Sequence, residues 1–184
     1  MVARIGIFVC LLIAFSGLAQ EQYIRPGLLA ASSTFSPSTM LNRNEQNFYI
    51  TGFAEYFLDT KFSFRSDTYL FLNSQNDQPT IKDGLRSYFG IAYHFNKGNW
   101  DGHLGFQPGV TYMNMKETTT TSTLLPSVAL RIGTSYYVWK YFHFFANLTY
   151  TKSKLRDYNR GNIQTDELIF SAGLGFQIQT KQRY

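Results

Sequence analysis

Residues 168–179 read Leu168-Ile169-Phe170-Ser171-Ala172-Gly173-Leu174-Gly175-Phe176-Gln177-Ile178-Gln179. At period two, Leu168, Phe170, Ala172, Leu174, Phe176 and Ile178 fall on one face, and Ser171, Gly173, Gly175, Gln177 and Gln179 follow Ile169 on the other. The first face is apolar; the second is small and polar beyond Ile169. About eleven residues at roughly 3.3 Å each extend some 35 Å, which at a tilt of about 45° crosses an apolar slab of roughly 25 Å. The stretch has the length and the two-faced pattern of a strand that spans a bilayer.

The start of the chain reads differently. Arg4 precedes an apolar run from Ile5 to Phe15, and Ser16-Gly17-Leu18-Ala19 places small residues where a signal peptidase cuts, before Gln20. Residues 1–19 are therefore expected to be a secretory signal peptide and residues 20–184 a single barrel domain. The apolar run, about eleven residues, falls short of the roughly 20 that a spanning helix needs. A lipoprotein signal is also excluded, because Cys10 lies inside the run and not at the cleavage position. Cys10 is the chain's single cysteine and leaves with the signal, so disulfides and thiolate metal sites are not expected. The net charge is +5, one unit of it from Arg4. No Lys/Arg-rich run accompanies it, and export removes the chain from the cytoplasm, so nucleic acid is not an expected partner. Aromatic residues make up 17% of the chain, yet no apolar run reaches the length of a transmembrane helix.

Alternation and turn signals together predict eight strands, at residues 23–35, 47–58, 61–73, 84–95, 100–115, 126–138, 141–151 and 167–179. The connections alternate in length. Residues 36–46, 74–83, 116–125 and 152–166 are polar and long, whereas Asp59-Thr60, Asn96-Lys97-Gly98-Asn99 and Trp139-Lys140 are tight. Outer-membrane barrels have this rhythm, with the short turns on the periplasmic rim. The first strand has the weakest pattern, because Pro26 and Gly27 interrupt it and Pro26 fits best near a strand start.

Parity assigns the faces. Arg86, Tyr88, Gly90, Ala92 and His94 oppose Leu85, Phe89, Ile91, Tyr93 and Phe95; Ala129, Arg131, Gly133, Ser135 and Tyr137 oppose a second apolar row; His143, Phe145, Asn147, Thr149 and Thr151 oppose a third. The second strand is mixed, with Phe53 and Phe57 on the face of Thr51 and Glu55. A soluble barrel would turn the apolar face inward, but the interior of an eight-stranded barrel is only just filled by side chains, and so many Phe, Leu, Ile and Tyr would overfill it. Every lysine from Lys61 to Lys181 also lies in a predicted loop, turn, tail or strand end. A solvated strand face would carry lysine throughout, so the bulky face is placed toward lipid. Trp100 and Trp139 adjoin tight turns, at the periplasmic interface where an amphipathic ring is favoured.

The closing strand carries a family resemblance. Ser171, Gly173, Phe176 and Ile178 stand in the order polar, glycine, hydrophobic, hydrophobic that resembles the assembly signal of outer-membrane barrels. With the signal peptide and the loop rhythm, the chain resembles the small porin-like family called outer membrane protein beta-barrel domain. It departs from that pattern by continuing through Thr180-Lys181-Gln182-Arg183-Tyr184 beyond the strand's terminal aromatic. The resemblance implies insertion into a Gram-negative outer membrane by the barrel assembly machinery; it implies no particular activity.

The expected function is an integral outer-membrane barrel, most simply a monomer, with a structural or surface-interaction role and no catalysis. The charged residues of inward parity are Arg25, Glu55, Arg65, Asp67, Arg86 and Arg131. A narrow lumen obliges them to pair, because an isolated buried charge costs several kcal/mol, and Glu55 and Asp67 are expected to bridge neighbouring arginines into a polar plug. The alternative is a narrow porin for small solutes. His94, His103 and His143 also point inward; Asp101 is expected opposite His94, with His103 diagonal to it, as hydrogen-bonding groups and not a metal site, and no cofactor is expected. A lipid-modifying enzyme would need histidine near serine and carboxylate at the outer rim, whereas all three histidines adjoin short turns. Lys152, Lys154, Arg156 and Arg160, with Lys116 on a neighbouring loop, form the most basic surface. They could bridge the phosphates of outer-leaflet lipid such as lipopolysaccharide, or be an ordinary solvated loop.

Overall fold

A computed structural model of the chain describes residues 24–76, 81–115, 123–157 and 161–180. The expected signal peptide, the start of the expected first strand and the tail from Lys181 lie outside the described residues. The strands are β1 (Leu28–Met40), β2 (Gln46–Phe57), β3 (Phe62–Ser74), β4 (Ile81–Lys97), β5 (Trp100–Met115), β6 (Thr123–Trp139), β7 (Phe142–Asp157), β8 (Gly161–Gln164) and β9 (Glu167–Gln179). Neighbours from β1 to β7 pair antiparallel, β7 then pairs with β9, and β9 returns to β1. The wall is thus a closed barrel of eight antiparallel strands. The short β8 pairs with the outer end of β7 and folds the last long connection back on itself.

The first strand is displaced from its expected place. Pro26 and Gly27, the latter at φ 83°, make a turn in which Gly27 N–H donates to Phe57 O at 2.8 Å, so pairing begins only at Leu28. The strand then continues through Ser36-Pro37-Ser38 to Met40, a stretch whose Ser and Pro content reads as loop. It holds because Pro37 faces outward while Ser36 and Ser38 are buried inside. The first long connection shrinks accordingly to residues 41–45. Strands β4, β6 and β7 also extend outward beyond their expected ends, taking up much of the predicted loops, while β5 keeps its expected bounds.

Closure between β1 and β9 is in register at both ends, from Leu28 opposite Gln179 to Ala31 opposite Phe176, and again from Ser38 opposite Ile169 to Met40 opposite Glu167. Between those ends side chains take up the pairing. Ser32 Oγ donates to Leu174 O and Thr34 Oγ1 to Ala172 O, each at 2.8 Å, and the Ser36 and Ser171 hydroxyls meet at 2.7 Å.

The faces follow the volume argument. Phe89, Ile91, Phe106, Leu130, Ile132, Phe144, Phe170, Leu174 and Phe176 are exposed around the wall, and Trp100 and Trp139 are exposed at the short-turn rim. The mixed second strand resolves with Phe53 and Phe57 inside. Phe53 lies under Arg65, whose guanidinium carbon is 3.6 Å from the ring centroid, and Phe57 joins Ile24, Leu28, Ala30 and Tyr137 in an apolar layer at the short-turn end. At the opposite end Met40, Ile81 and Met113 pack with Phe71 into a second apolar layer.

The short turns are built from local chemistry. Between β2 and β3, Asp59 Oδ1 accepts the N–H groups of Lys61 at 2.6 Å and Phe62 at 2.7 Å, which holds its carboxyl below the ordinary carboxylate range. This turn is therefore fully tightened above that range and loosens as the pH falls below it. Gly98, at φ 60°, lets Lys97 pair directly with Trp100.

Removing the seam hydroxyls together, Ser32→Ala with Thr34→Val, should destabilise the barrel by about 1–3 kcal/mol, two hydrogen bonds of about 0.5–1.5 kcal/mol each. Equilibrium urea unfolding in detergent micelles, followed by tryptophan fluorescence, measures this against the outward-facing control Ser33→Ala, which should be neutral.

Candidate functional site

Polar groups fill the lumen between the two apolar layers, in two hubs. The inner hub starts at Arg65 on β3. Its Nε and Nη2 grip Asp67 at 3.0 and 2.9 Å, and its Nη1 donates to Glu55 Oε2 at 3.1 Å. Gln107 Nε2 adds a 2.7 Å bond to Asp67 Oδ2, and Ser63 Oγ donates to Glu55 Oε1 at 2.7 Å. Arg131 lies 3.8 Å from Glu55 and 3.7 Å from Asp67, fully buried, and none of its guanidinium nitrogens makes a hydrogen bond. The shared carboxylates hold Arg131 by charge, while their oxygens are committed to Arg65, Ser63 and Gln107.

The outer hub is centred on Glu167, the first residue of β9. Its carboxylate pairs with Arg86 and accepts bonds from Ser38, from Asn47 Nδ2 at 3.0 Å and from Tyr49 O–H at 2.9 Å. Arg86 Nη1 also donates to Thr151 Oγ1 at 2.6 Å. One carboxylate therefore ties β1, β2, β4 and β9, with β7 reached through the arginine. Between the hubs Tyr49, Tyr69 and Tyr88 pack edge to face with Ala129 and Ile169, and Tyr69 O–H donates to Thr149 Oγ1.

The histidines belong to the short-turn side. His94 and His103 face each other directly across β4 and β5, and Asp101 pairs with Asn96. The expectation that Asp101 would oppose His94 is thus corrected by one residue pair, because the turn contains two residues, Gly98 and Asn99. Asp101 remains within reach: its Oδ2 is 2.8 Å from His94 Nδ1. His94 Nε2 lies 2.8 Å from Ser63 Oγ, and His103 Nε2 lies 2.9 Å from the Asn147 side-chain amide. Swapping the Asn147 amide brings its NH2 to His103 Nε2 and to Ala146 O, and its carbonyl to Arg65 Nη2 at 3.2 Å. Gly133 makes this contact possible, since a Cβ there would sit 2.1 Å from Asn147 Oδ1 and 2.6 Å from His103 Nε2. His143 lies apart, among Phe53, Tyr137 and Phe145.

Glu55, Arg65, Asp67 and Arg131 are thus brought together, and Arg86 enters the second hub. Arg25 is corrected: it lies before β1, part-buried at the short-turn end, with Nε donating to Gln179 Oε1 at 2.7 Å, outside the lumenal network. In the basic surface, Lys152 is exposed near the outer end of β7, 3.9 Å from Asp166 Oδ2. Lys154 and Arg156 pair through their backbones with Gln164 and Asn162, and Lys116 and Arg160 lie outside the described residues. In β9, Ser171 and Gly173 face inward and Phe176 and Ile178 face outward.

Residues 7–176 match the family described as Outer membrane protein beta-barrel domain. The chain belongs to that family. As an outer membrane protein beta-barrel domain it is a cell outer-membrane protein, and its apolar face meets lipid. Among solved structures it is similar to the N-terminal beta-barrel domain of Pseudomonas aeruginosa OprF, with TM-score 0.60 at 12% identity over 83% of this chain and 98% of that one. It is likewise similar to the Pseudomonas aeruginosa outer membrane protein OprG, with TM-score 0.62 at 11% identity over 85% and 98% of the two chains. Neisserial surface protein A gives TM-score 0.54 at 13% identity over 83% and 96%. Among curated proteins no sequence matches. At these identities the likeness is one of fold.

Sequence reasoning about this outer membrane protein beta-barrel domain missed Glu167 and Gln107 as lumenal partners, and it placed Asn147 inward without pairing it with His103. Glu167 opens the predicted strand 167–179 and shares the parity of Ser171 and Gln177, which places it inside, yet at the strand's edge it escaped the set of inward charges.

Arg86→Met alone strands the buried Glu167 carboxylate and should cost about 3–5 kcal/mol of stability, whereas Arg86→Met with Glu167→Gln, which removes the charge and keeps an acceptor for the Ser38, Asn47 and Tyr49 donors, should recover a large part of that loss. Denaturant unfolding of both variants beside the wild type measures the difference.

Proposed function

We propose that this protein is a sealed outer-membrane barrel with a structural or surface-interaction role, acting through its wall and outer rim and not through its lumen. The observation that carries this reading is the stacking order inside the wall: apolar layer, ion network, tyrosine layer, second ion hub, apolar layer. An ion crossing this path would have to leave water for two apolar layers and displace arginine from carboxylates that hold it at hydrogen-bond distance. Catalysis is not part of the reading, since the buried histidines lie at the short-turn end, away from the outer leaflet. The protein works as a monomer, inserted by the barrel assembly machinery through the signal at Ser171, Gly173, Phe176 and Ile178.

The narrow-porin reading is favoured by one feature, the Arg131 guanidinium without hydrogen bonds, which could move more freely than Arg65. Planar-bilayer recording separates the two readings. The purified barrel should give no large, stable open steps; such steps would establish the porin.

The outer rim is the proposed contact surface. Lys152, Lys154 and Arg156 stand at every second residue of the outward extension of β7, and lysine and arginine are the residues that bridge outer-leaflet phosphates. Replacing Lys152, Lys154, Arg156 and Arg160 together with glutamine should weaken lipopolysaccharide binding in a co-sedimentation assay, and do so less at high salt. Unchanged binding would leave the loop as ordinary solvated surface.

A further inference from the structure

The charge pattern of the lumen leaves one carboxylate with a different kind of partner. Glu55 and Asp67 share Arg65 and Arg131, and Glu167 has Arg86. Among the described residues Asp101 has no guanidinium partner; its buried carboxylate faces two imidazoles instead. Asp101 Oδ2 lies 2.8 Å from His94 Nδ1 and 3.5 Å from His103 Nδ1, and the ligand atoms of the three residues all lie within 4.8 Å of one another. His103 Nδ1 and Asp101 Oδ1 are buried without hydrogen-bond partners.

We propose that His94, Asp101 and His103 form a lumenal binding site for a divalent transition cation of the zinc class, just inside the short-turn mouth. Two imidazoles and one carboxylate are a donor set suited to such borderline cations, whereas Ca²⁺ and Mg²⁺ take oxygen alone. Zinc bonds of roughly 2.0–2.2 Å place neighbouring tetrahedral ligands roughly 3.3 Å apart. The two observed Asp101 distances bracket that spacing, so the carboxylate needs only a small shift, and closing the two rings, whose centroids are 5.5 Å apart, completes the set. The backbone favours this arrangement because His94 and His103 are direct cross-strand partners and Asp101 is the next inward residue along β5.

The surrounding hydrogen bonds fit metal ligation. A metal-bound histidine gives its second ring N–H to an acceptor. His94 Nε2 has Ser63 Oγ at 2.8 Å and Glu55 Oε1 at 3.4 Å for this purpose. For His103 the acceptor is Asn147, and the orientation of its amide acts as a selector. With its NH2 toward His103 Nε2, the ring proton sits on Nδ1 and points at Asp101; with its carbonyl there, Nε2–H donates to Asn147 and Nδ1 offers its lone pair to the cluster. The two orientations are the hydrogen-bond patterns of the empty and the loaded site. Gly133 provides the room for either.

The test uses the purified barrel in detergent micelles, with Co²⁺ absorption and Zn²⁺ calorimetry as readouts and heat-modifiable gel mobility as the check on folding. The wild type should bind one equivalent and show the visible bands of a Co²⁺ ion held by nitrogen and oxygen. His103→Gln and Asp101→Asn should each weaken binding at least tenfold, while His143→Gln leaves it unchanged. Asn147→Asp, which presents only acceptors to His103 Nε2, should tighten binding. The proposal is overturned if the wild type shows no saturable site, if folded His103→Gln binds as well as the wild type, or, where that variant does not fold, if Asn147→Asp fails to tighten binding.

Discussion

In hydrocarbon every backbone N–H and C=O must find its partner within the chain, so a membrane sheet must close. For this protein that requirement falls on one seam, β1 against β9. The seam is also where the chain is least regular, since β1 starts after a Pro-Gly turn and carries Pro37 within its length. Its two ends pair in register, and hydroxyls of Ser32, Thr34, Ser36 and Ser171 hold its middle. A serine-rich stretch that looks like a loop is what a seam of this kind needs, because short side chains can donate to carbonyls across the gap.

Closure and charge pairing are coupled through Glu167. The residue opens β9 at its outer end, opposite Met40, and its carboxylate collects Ser38 from β1, Asn47 and Tyr49 from β2, and Arg86 from β4. None of these donors is adjacent to it in the chain, and a buried carboxylate without them would carry a desolvation cost of several kcal/mol. The network therefore favours the one register in which all of them meet. The same narrowness that forces pairing in the outer hub crowds the inner one, where Arg65, Ser63 and Gln107 take the hydrogen bonds of Glu55 and Asp67 and leave Arg131 with charge contact only.

Much of this was legible from residues alone. Alternation at period two is a local property, so Leu168 to Gln179, residues 84–95 and residues 126–138 each declared their faces, and the limited volume of an eight-stranded interior turned the bulky face outward. The same reasoning placed Glu55, Arg65, Asp67, Arg86 and Arg131 inside. It failed where composition and context competed with parity: Ser36-Pro37-Ser38 read as loop, Glu167 at the edge of the last strand escaped the set of inward charges, and Arg25 read as lumenal although the Pro26-Gly27 turn takes it out of the wall.

The sequence by itself therefore determined the wall: strand type, number, rhythm of turns and the sidedness of each face, because each depends on spacing within a few residues. Only the tertiary structure decided who meets whom inside. A shift of one pair across the β4–β5 turn sets His94 against His103, and the closing of β9 on β1 delivers Glu167 to Arg86. Such pairings depend on register and closure, which are set by the whole barrel at once, and no local pattern in the chain encodes them.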